Sequence, residues 1–440
     1  MHKLYVKCLS LIVWGIFLVK AAQAQTILSS LESTWEIALK NNPDQQTYLL
    51  NIQKAEQELK IAKSYKYFNA DLSFNAQNNL KIASTPVPGA LVQQPNEQTV
   101  LVQFGRQFVY NTGINLSRSL YNRQQRLSEL LSKENIALKT LEKEVFEQVL
   151  KEQIAQLYYT CILSRELITI SQKNLALADT LFINADSRFQ KGLSDKLELN
   201  QTQIKQNQVR QKLLQNQELY TQNTEDLKLL LGLGIEDSLQ ITETLPKTIS
   251  EEIPSLSAES DKSLQVLAKQ IEMTDLEIKS SKAASYPTLG LYSYIGTQQF
   301  RDVFGLSLSS DDWNGNQYMG INLNIPLFSG FARKSQFKIS QLNQQLTKTE
   351  SQNTRREIEN ENLDLINHFN FSRQSAQRAG ENYRLFAESL QLSYQRYGRG
   401  LTALDTYLKT LEDYLNAEDT YFSQLAETLR SQAKIRSKTE

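Results

Sequence analysis

RQQRLSELLSKENIALKTLEKEVFEQVLKEQIAQLYYTCILSRELITISQKNLALADTLFINADSRFQK, Arg123 to Lys191, is a run of sixty-nine residues without a glycine or a proline. Those two residues interrupt helices, and Leu, Glu, Lys, Gln and Ala fill the run instead, so it reads as one unbroken helix. At 1.5 Å per residue such a helix is roughly 100 Å long, too long for the core helix of a compact domain. Gly192 stops it, and a second run free of glycine and proline follows from Leu193 to Leu231. The pair therefore predicts an antiparallel helical hairpin with a tight tip at Lys191-Gly192-Leu193-Ser194.

Working outward toward the amino terminus, Ile27 to Lys66 has helical spacing at Leu31, Trp35 and Leu39, with a break at Asn42-Pro43. The period then changes. Phe68 to Asn79 and Thr99 to Leu120 read as strands, the second with Val100, Val102, Phe104, Phe108 and Tyr110 in alternation, and Thr85 to Pro95 reads as a long irregular loop between them. Toward the carboxyl terminus, Ile235 to Ser260 reads as a loose connector and Asp261 to Ser285 as helix. Strands follow at Tyr286 to Phe300 and Gln317 to Phe328, then helix from Phe331 to Tyr397, a second tip at Gly398 and Gly400, and helix to the end.

The two halves repeat. Gly113-Ile114-Asn115-Leu116 matches Gly320-Ile321-Asn322-Leu323, and Leu120-Tyr121 matches Leu327-Phe328 at the same offset. Near the tips, Arg188-Phe189-Gln190-Lys191-Gly192-Leu193-Ser194 matches Arg396-Tyr397-Gly398-Arg399-Gly400-Leu401-Thr402. Each half is then helix, strand, loop, strand, long helix, tip, helix. The division is 25–232 for the first repeat, with its strand pair at 68–120, and 261–440 for the second, with its strand pair at 286–328, joined by a connector at 233–260. The class is mainly α with a small β part.

Met319, Ile321, Leu323, Ile325 and Leu327 alternate with Tyr318, Gly320, Asn322 and Asn324. A strand between lipid and water has this pattern, and so does a strand of a soluble sandwich. Four strands do not close a barrel, and an open edge in hydrocarbon leaves backbone groups unsatisfied, so a membrane location requires oligomerisation.

The amino terminus reads as a secretory signal. Lys3 and Lys7 precede the apolar run Cys8 to Val19, and Ala22-Gln23-Ala24 supplies small residues for cleavage before Gln25. Loss of residues 1–24 removes three lysines and no acid, leaving 45 basic and 48 acidic side chains. Cys161 then stands alone, so no internal disulfide is expected. No basic run points to nucleic acid.

Catalytic patterns are absent from the reading. His368 is the one histidine beyond the signal, the Glu142, Glu144 and Glu147 cluster interleaves with Lys139 and Lys143 as a salt-bridged face, and no glycine-rich loop follows a strand in phosphate-binding form. No enzyme activity, cofactor or metal site is expected.

The signal, the strand motif Gly320-Ile-Asn-Leu-Asn-Ile-Pro-Leu-Phe-Ser-Gly330, the preceding Ala284-Ser-Tyr-Pro-Thr-Leu-Gly290 and the tips Gly192-Leu-Ser and Gly400-Leu-Thr together resemble the TolC family of outer-membrane efflux ducts. The resemblance spans nearly all of the chain after residue 24. It implies a homotrimer in which helical hairpins form an α-barrel crossing the periplasm and four transmembrane strands per chain form a twelve-stranded barrel in outer-membrane lipid. It implies a passive channel for a tripartite efflux or type I secretion system. The implied partners are a periplasmic adaptor (membrane fusion) protein and a proton-driven or ATP-driven inner-membrane pump.

Carried over residue by residue, Gly192, Leu193, Ser194, Gly400, Leu401 and Thr402 become the adaptor-docking tips, with Ser194 and Thr402 also serving as helix N-caps. The family narrows its inner end with aspartates, and Asp405 matches one of them across a one-residue gap, with an ordinary exposed carboxylate as the other reading; Leu408 or Lys409 stands at the next acidic position. Ser119 stands where the second half has Pro326. The readings from other classes are a soluble periplasmic coiled-coil scaffold and a stand-alone porin.

Overall fold

A computed structural model describes residues 26–92, 98–245 and 255–439. The signal segment and two connector prolines, Pro246 and Pro254, lie outside the described residues. In chain order the elements are β1 (Thr26–Leu28), α1 (Leu31–Asn41), α2 (Pro43–Ala62), β2 (Asn69–Asn78), β3 (Ser84–Val87), β4 (Val100–Gln103), β5 (Phe108–Tyr121), α3 (Arg123–Gln190), α4 (Lys196–Leu230), β6 (Leu239–Ile241), α5 (Lys262–Ala283), β7 (Thr288–Arg301), β8 (Asn314–Asn324), α6 (Ala332–Gly398) and α7 (Leu404–Thr439). The repeat is explicit in the helix lengths: α3 and α6 have 68 and 67 residues, α4 and α7 have 35 and 36.

The chain divides into two compact units. One is built from Ile52–Leu138 and Ala268–Glu350, the other from the described parts of Met1–Asn51, Lys139–Leu267 and Ser351–Glu440.

The first unit contains a four-stranded sheet in the order β2-β5-β7-β8, antiparallel throughout. Each half supplies one hairpin, and β5 and β7 pair along their full lengths to join them. A separate hairpin pairs β3 with β4. Here the fold departs from the expectation of one strand over Thr99–Leu120. Gly105 adopts φ +137°, which turns the chain, so β4 pairs with β3 while β5 starts afresh at Phe108. The proline-rich segment read as irregular thus contains a strand, tolerated because a short two-stranded ribbon leaves one side of each strand free for Pro86.

The second unit is helical. Leu150, Ile154, Tyr158 and Ile162 recur every four residues on α3 and are buried, with Leu31, Trp35 and Ala38 of α1, Leu227 of α4, and Phe422, Leu425 and Leu429 of α7 in the same core. Trp35 Nε1 donates to the Lys151 carbonyl at 2.9 Å, so the indole is buried with its polar atom satisfied. Asn42 explains why the helix breaks where Pro43 predicts. Its Oδ1 accepts from the Asp44 amide at 2.8 Å, starting α2, while its Nδ2 reaches the Leu230 carbonyl at 2.9 Å. The connector holds more order than its composition suggests: β6 pairs in parallel with β1, Thr26 opposite Leu239 and Leu28 opposite Ile241. Ile27 is therefore in a strand, and α1 begins after Ser30, whose hydroxyl accepts from the Ser33 amide in a capping box.

The charged face on α3 forms as expected, with Lys139 on Glu142 at 2.8 Å, Lys143 on Glu147 at 2.6 Å and Lys262 on Glu144 at 2.7 Å. His368 is exposed and contacts Glu427 at 2.8 Å.

Ile154, fully buried, is a measure of this core. Ile154→Ala is expected to destabilise the helical unit by about 2–5 kcal/mol. Circular dichroism melts at a fixed scan rate would show this as a lower unfolding midpoint with unchanged helix content at low temperature.

Candidate functional site

The two tips are copies at the level of single hydrogen bonds. After α3, the Gly192 amide donates to the Phe189 carbonyl and the Leu193 amide to the Arg188 carbonyl, both at 2.9 Å. After α6, the Gly400 amide donates to Tyr397 and the Leu401 amide to Arg396, again at 2.9 Å. This is the Schellman arrangement, in which a left-handed residue lets two amides turn back onto otherwise unsatisfied helix carbonyls. Both glycines have φ +71°, and nothing lies within 4 Å of where a Cβ would sit. The requirement for glycine is conformational, and the space beside each tip is open.

Leu193 and Leu401 follow at 66% and 65% exposure. Two equivalent leucines thus stand in solvent beside rigid backbone turns. Ser194 and Thr402 do not cap the next helices as the sequence suggests. Asp195 is the N-cap of α4, accepting from the Glu198 amide at 2.8 Å, and Ser194 Oγ is buried without a hydrogen-bond partner. At the second tip Ala403, which has no capping group, occupies the residue before α7. The reason is one residue of phase, because the Schellman turn extends each tip to five residues and moves the cap past the hydroxyl. Asp405 is exposed in the first turn of α7, where its charge meets the positive end of the helix.

Beneath the tips, the Arg188 guanidinium lies 5.7 Å over the Tyr397 ring, which stacks on Tyr407 at 5.7 Å. Leu181, Leu390, Leu404 and Leu411 complete this small core, and burial pushes the Tyr407 hydroxyl up to about 12. The first tip is therefore fixed to the second through its own helix end. Aromatic and arginine positions of this kind carry no periodic signal, and only the matched Arg188 and Arg396 motifs hinted at them.

The sheet has two unlike faces. Register and alternation place Leu72, Ile114, Leu116, Leu291, Ile295, Met319, Ile321 and Leu323 on one, and Ser73, Asn75, Asn115, Tyr292, Gln298 and Asn322 on the other. Met319, Ile321 and Leu323 are 76%, 66% and 59% exposed. Ile325 and Leu327, grouped with them by sequence, are exposed but lie beyond the strand, which ends at Asn324. Pro326 has no amide to continue the ladder and restricts the residue before it, so pairing stops there. The edge strands are β2 and β8.

A sequence profile of the outer membrane efflux protein family matches residues 35–233 and 253–438. The chain belongs to that family. Its fold is shared with the CmeC outer membrane channel of Campylobacter jejuni, at 16% identity over 93% of this chain and 85% of that one, TM-score 0.73. It is shared equally with the outer membrane protein VceC of Vibrio cholerae, at 16% identity, 93% and 95% coverage and TM-score 0.71. The MtrE outer membrane channel of Neisseria gonorrhoeae in its open state matches at 15% identity, 93% and 88% coverage and TM-score 0.72. The protein is thus an outer-membrane efflux channel of the TolC type, with its helical part in the periplasm. Family membership sets aside the soluble scaffold. Among the described residues no helix is long and apolar enough to cross a membrane, and no cluster of side chains has the makings of a metal site.

One buried group in the efflux channel was invisible to sequence reading. Glu418 of α7 is 5% exposed, and Asn174 Nδ2 of α3 donates to its two oxygens at 2.9 and 3.1 Å. Tyr383 of α6 points its hydroxyl at the same carboxyl at 3.5 Å and lies 3.2 Å from the Tyr414 hydroxyl. Burial raises the Glu418 pKa, outweighing these hydrogen bonds. A carboxyl with a raised folded pKa stabilises least where it must ionise, so its contribution is intact below pH 4.5 and is lost as pH rises from there through the folded value. Glu418→Gln, which keeps an acceptor for Asn174, is expected to melt higher than wild type at pH 8, with the difference shrinking toward pH 4.5. A difference that grows on acidification would show that the carboxylate is the favoured form.

Proposed function

We propose that three copies of this chain form a passive duct that is coupled through its tips to a periplasmic adaptor and, beyond it, to an inner-membrane pump, proton-driven or ATP-driven. The observation that carries this reading is the four-stranded sheet with one apolar and one polar face and two edge strands. An edge in hydrocarbon leaves backbone groups unpaired at several kcal/mol each, and pairing β8 of one copy with β2 of the next removes every edge at once. Three copies give twelve strands. The apolar face with Met319, Ile321 and Leu323 then meets lipid, and the Asn, Ser and Tyr face lines the lumen.

Leu193 and Leu401 are the contacts we assign to the adaptor, with Gly192 and Gly400 setting the turns that present them and Ser194 and Thr402 beside them in the same docking surface. Exposed apolar side chains on conformationally fixed turns lose little freedom on docking. Asp405, exposed in the first turn of α7, is the candidate constriction at the inner end. In this reading the duct is passive and direction comes from the pump, whether the system is a drug exporter or a type I secretion machine.

Leu193→Glu combined with Leu401→Glu tests the coupling. The trimer should remain intact in heat-modifiable gel migration, while adaptor recovered by in-cell cross-linking falls on the order of tenfold or more, the loss of about 1.4 kcal/mol or more of contact. Transport should fall with it. Wild-type transport by an outer-membrane trimer carrying both charges would overturn tip docking, and a monomer extracted from the periplasm would overturn the duct itself.

A further inference from the structure

All four joints between helix and strand lie at one rim of the sheet, since Asn69 opposes Ser117, Tyr121 opposes Leu289 and Thr288 opposes Asn324. The chain on the helical side of that rim has an unusual charge. Residues 60–68 contain Lys60, Lys63 and Lys66, and residues 118–128 contain Arg118, Arg123 and Arg126. Residues 279–287 contain Lys279 and Lys282, and residues 325–338 contain Arg333, Lys334 and Lys338. Eleven cations occupy these four segments, with no aspartate or glutamate among them. At the opposite rim, the described residues within 79–107 and 302–313 include two basic and three acidic side chains.

Ion pairing inside the chain does not account for the excess. Among the described residues only Lys66 of the eleven meets a carboxylate, Glu129 at 2.6 Å, and Arg333 is used on the Pro326 carbonyl and the Ser329 hydroxyl, each at 3.1 Å. Every one of the eleven except Arg333 is exposed. Exposed aromatic rings accompany them: Tyr67, Phe68, Tyr121, Phe328 and Phe331 all lie in the same few residues around the rim. Arg118 is the most telling position. It follows Ile114 and Leu116 on the apolar face of β5, at the last turn of the strand, and lies 5.4 Å over the Phe68 ring. A cleft of about 860 Å³ opens there, lined by Arg118, Phe68, Tyr65, Asn122 and Leu291. An arginine on a lipid-facing strand is costly unless its guanidinium reaches the headgroup level, where aromatic rings also settle.

We propose that this rim is a binding collar for anionic phospholipid headgroups of the periplasmic leaflet, with Arg118 seated on a lipid phosphate and the helical lysines and arginines around it supplying the preference for net negative charge. The inference rests on the membrane placement of the sheet argued above. Clustered cations beside a membrane-embedded element favour anionic over zwitterionic lipid, because each charge near the surface adds attraction and the aromatic belt fixes its depth. The mixed charge of the opposite rim gives no such preference, so the collar also distinguishes the two leaflets.

Native mass spectrometry of the detergent-purified assembly, given equimolar phosphatidylglycerol and phosphatidylethanolamine, is the test. Wild type should retain the anionic lipid on the order of fivefold or more over the zwitterionic one, a preference that shrinks as ammonium acetate concentration rises. Arg118→Gln with Arg123→Gln, Lys334→Gln and Lys338→Gln should bring the ratio close to one, and Arg118→Gln alone should lower it if the fourfold variant fails to assemble. Lys205→Gln with Arg210→Gln and Lys212→Gln, which neutralises cations on α4, should leave it unchanged. Equal retention of both lipids by wild type, an equal loss in the α4 control, or displacement of the lipid by millimolar glycerol phosphate would each overturn the collar. An assembly that takes up neither lipid and does not enter vesicles would overturn the membrane placement instead.

Discussion

Backbone groups in hydrocarbon must be paired, and this constraint reaches further into the chain than any single contact. A sheet whose outer strands are β2 and β8 has two rows of amide and carbonyl groups that no part of the described chain covers. A soluble protein would blunt such edges with charge, proline or a covering loop. Here β2 runs ten residues and β8 eleven, each alternating apolar with polar side chains, both shaped to continue a ladder. The trimer proposed above rests on these two strand edges.

Duplication supplies the matching parts. The halves place Gly113 and Gly320 at equivalent points of β5 and β8, and each is covered by a tyrosine ring from β7, Tyr294 over Gly113 and Tyr292 over Gly320. A Cβ at either glycine would lie 2.7 Å or less from a ring atom. The same repeat yields tips with identical hydrogen bonds although their sequences, Lys191-Gly192-Leu193 and Arg399-Gly400-Leu401, agree only in the residues the turn requires. The retained features are a turn that must be glycine and a leucine that has no core to enter.

What could be read from sequence divides along physical lines. Long glycine-free runs, the two tips, the Asn42-Pro43 break and the four principal strands were legible because each rests on a local signal, periodicity or a backbone restriction. The β1–β6 pair was not, since three-residue strands have no period and their partners lie more than two hundred positions apart. The alternation through Val100 to Tyr110 was legible but misleading, because two strands in phase look like one until Gly105 turns the chain. Ser194 and Thr402 failed as caps for the opposite reason: hydroxyl chemistry was right, and the turn geometry moved the cap by a residue. Of the candidate site, the two glycine tips were legible and the docking residues came with the family resemblance, whereas the Arg188–Tyr397 clasp and the buried Glu418 depend on which helices meet.

Long helices packed through repeated leucines face a problem of registry, because a slide of one turn preserves most apolar contact. Polar pairs between α3 and α4 remove the ambiguity. Ser164 meets Asn223 at 3.3 Å, and seven residues later on α3 and earlier on α4, Ser171 meets Asn216 at 2.7 Å. Closer to the tip, Gln206 bonds Asp179 at 2.7 Å. Ser164, Ser171 and Asn216 are buried, so a slip by one turn strands groups that cost about 1–3 kcal/mol each when left unpaired. Such pairs contribute little net stability and much specificity, as a single buried asparagine does in a coiled coil. Asn174 and Glu418 do the same between α3 and α7, which links the two repeats. With the register held at these points, the first tip stays joined to the second through Arg188 and Tyr397, and both keep the same Schellman hydrogen bonds.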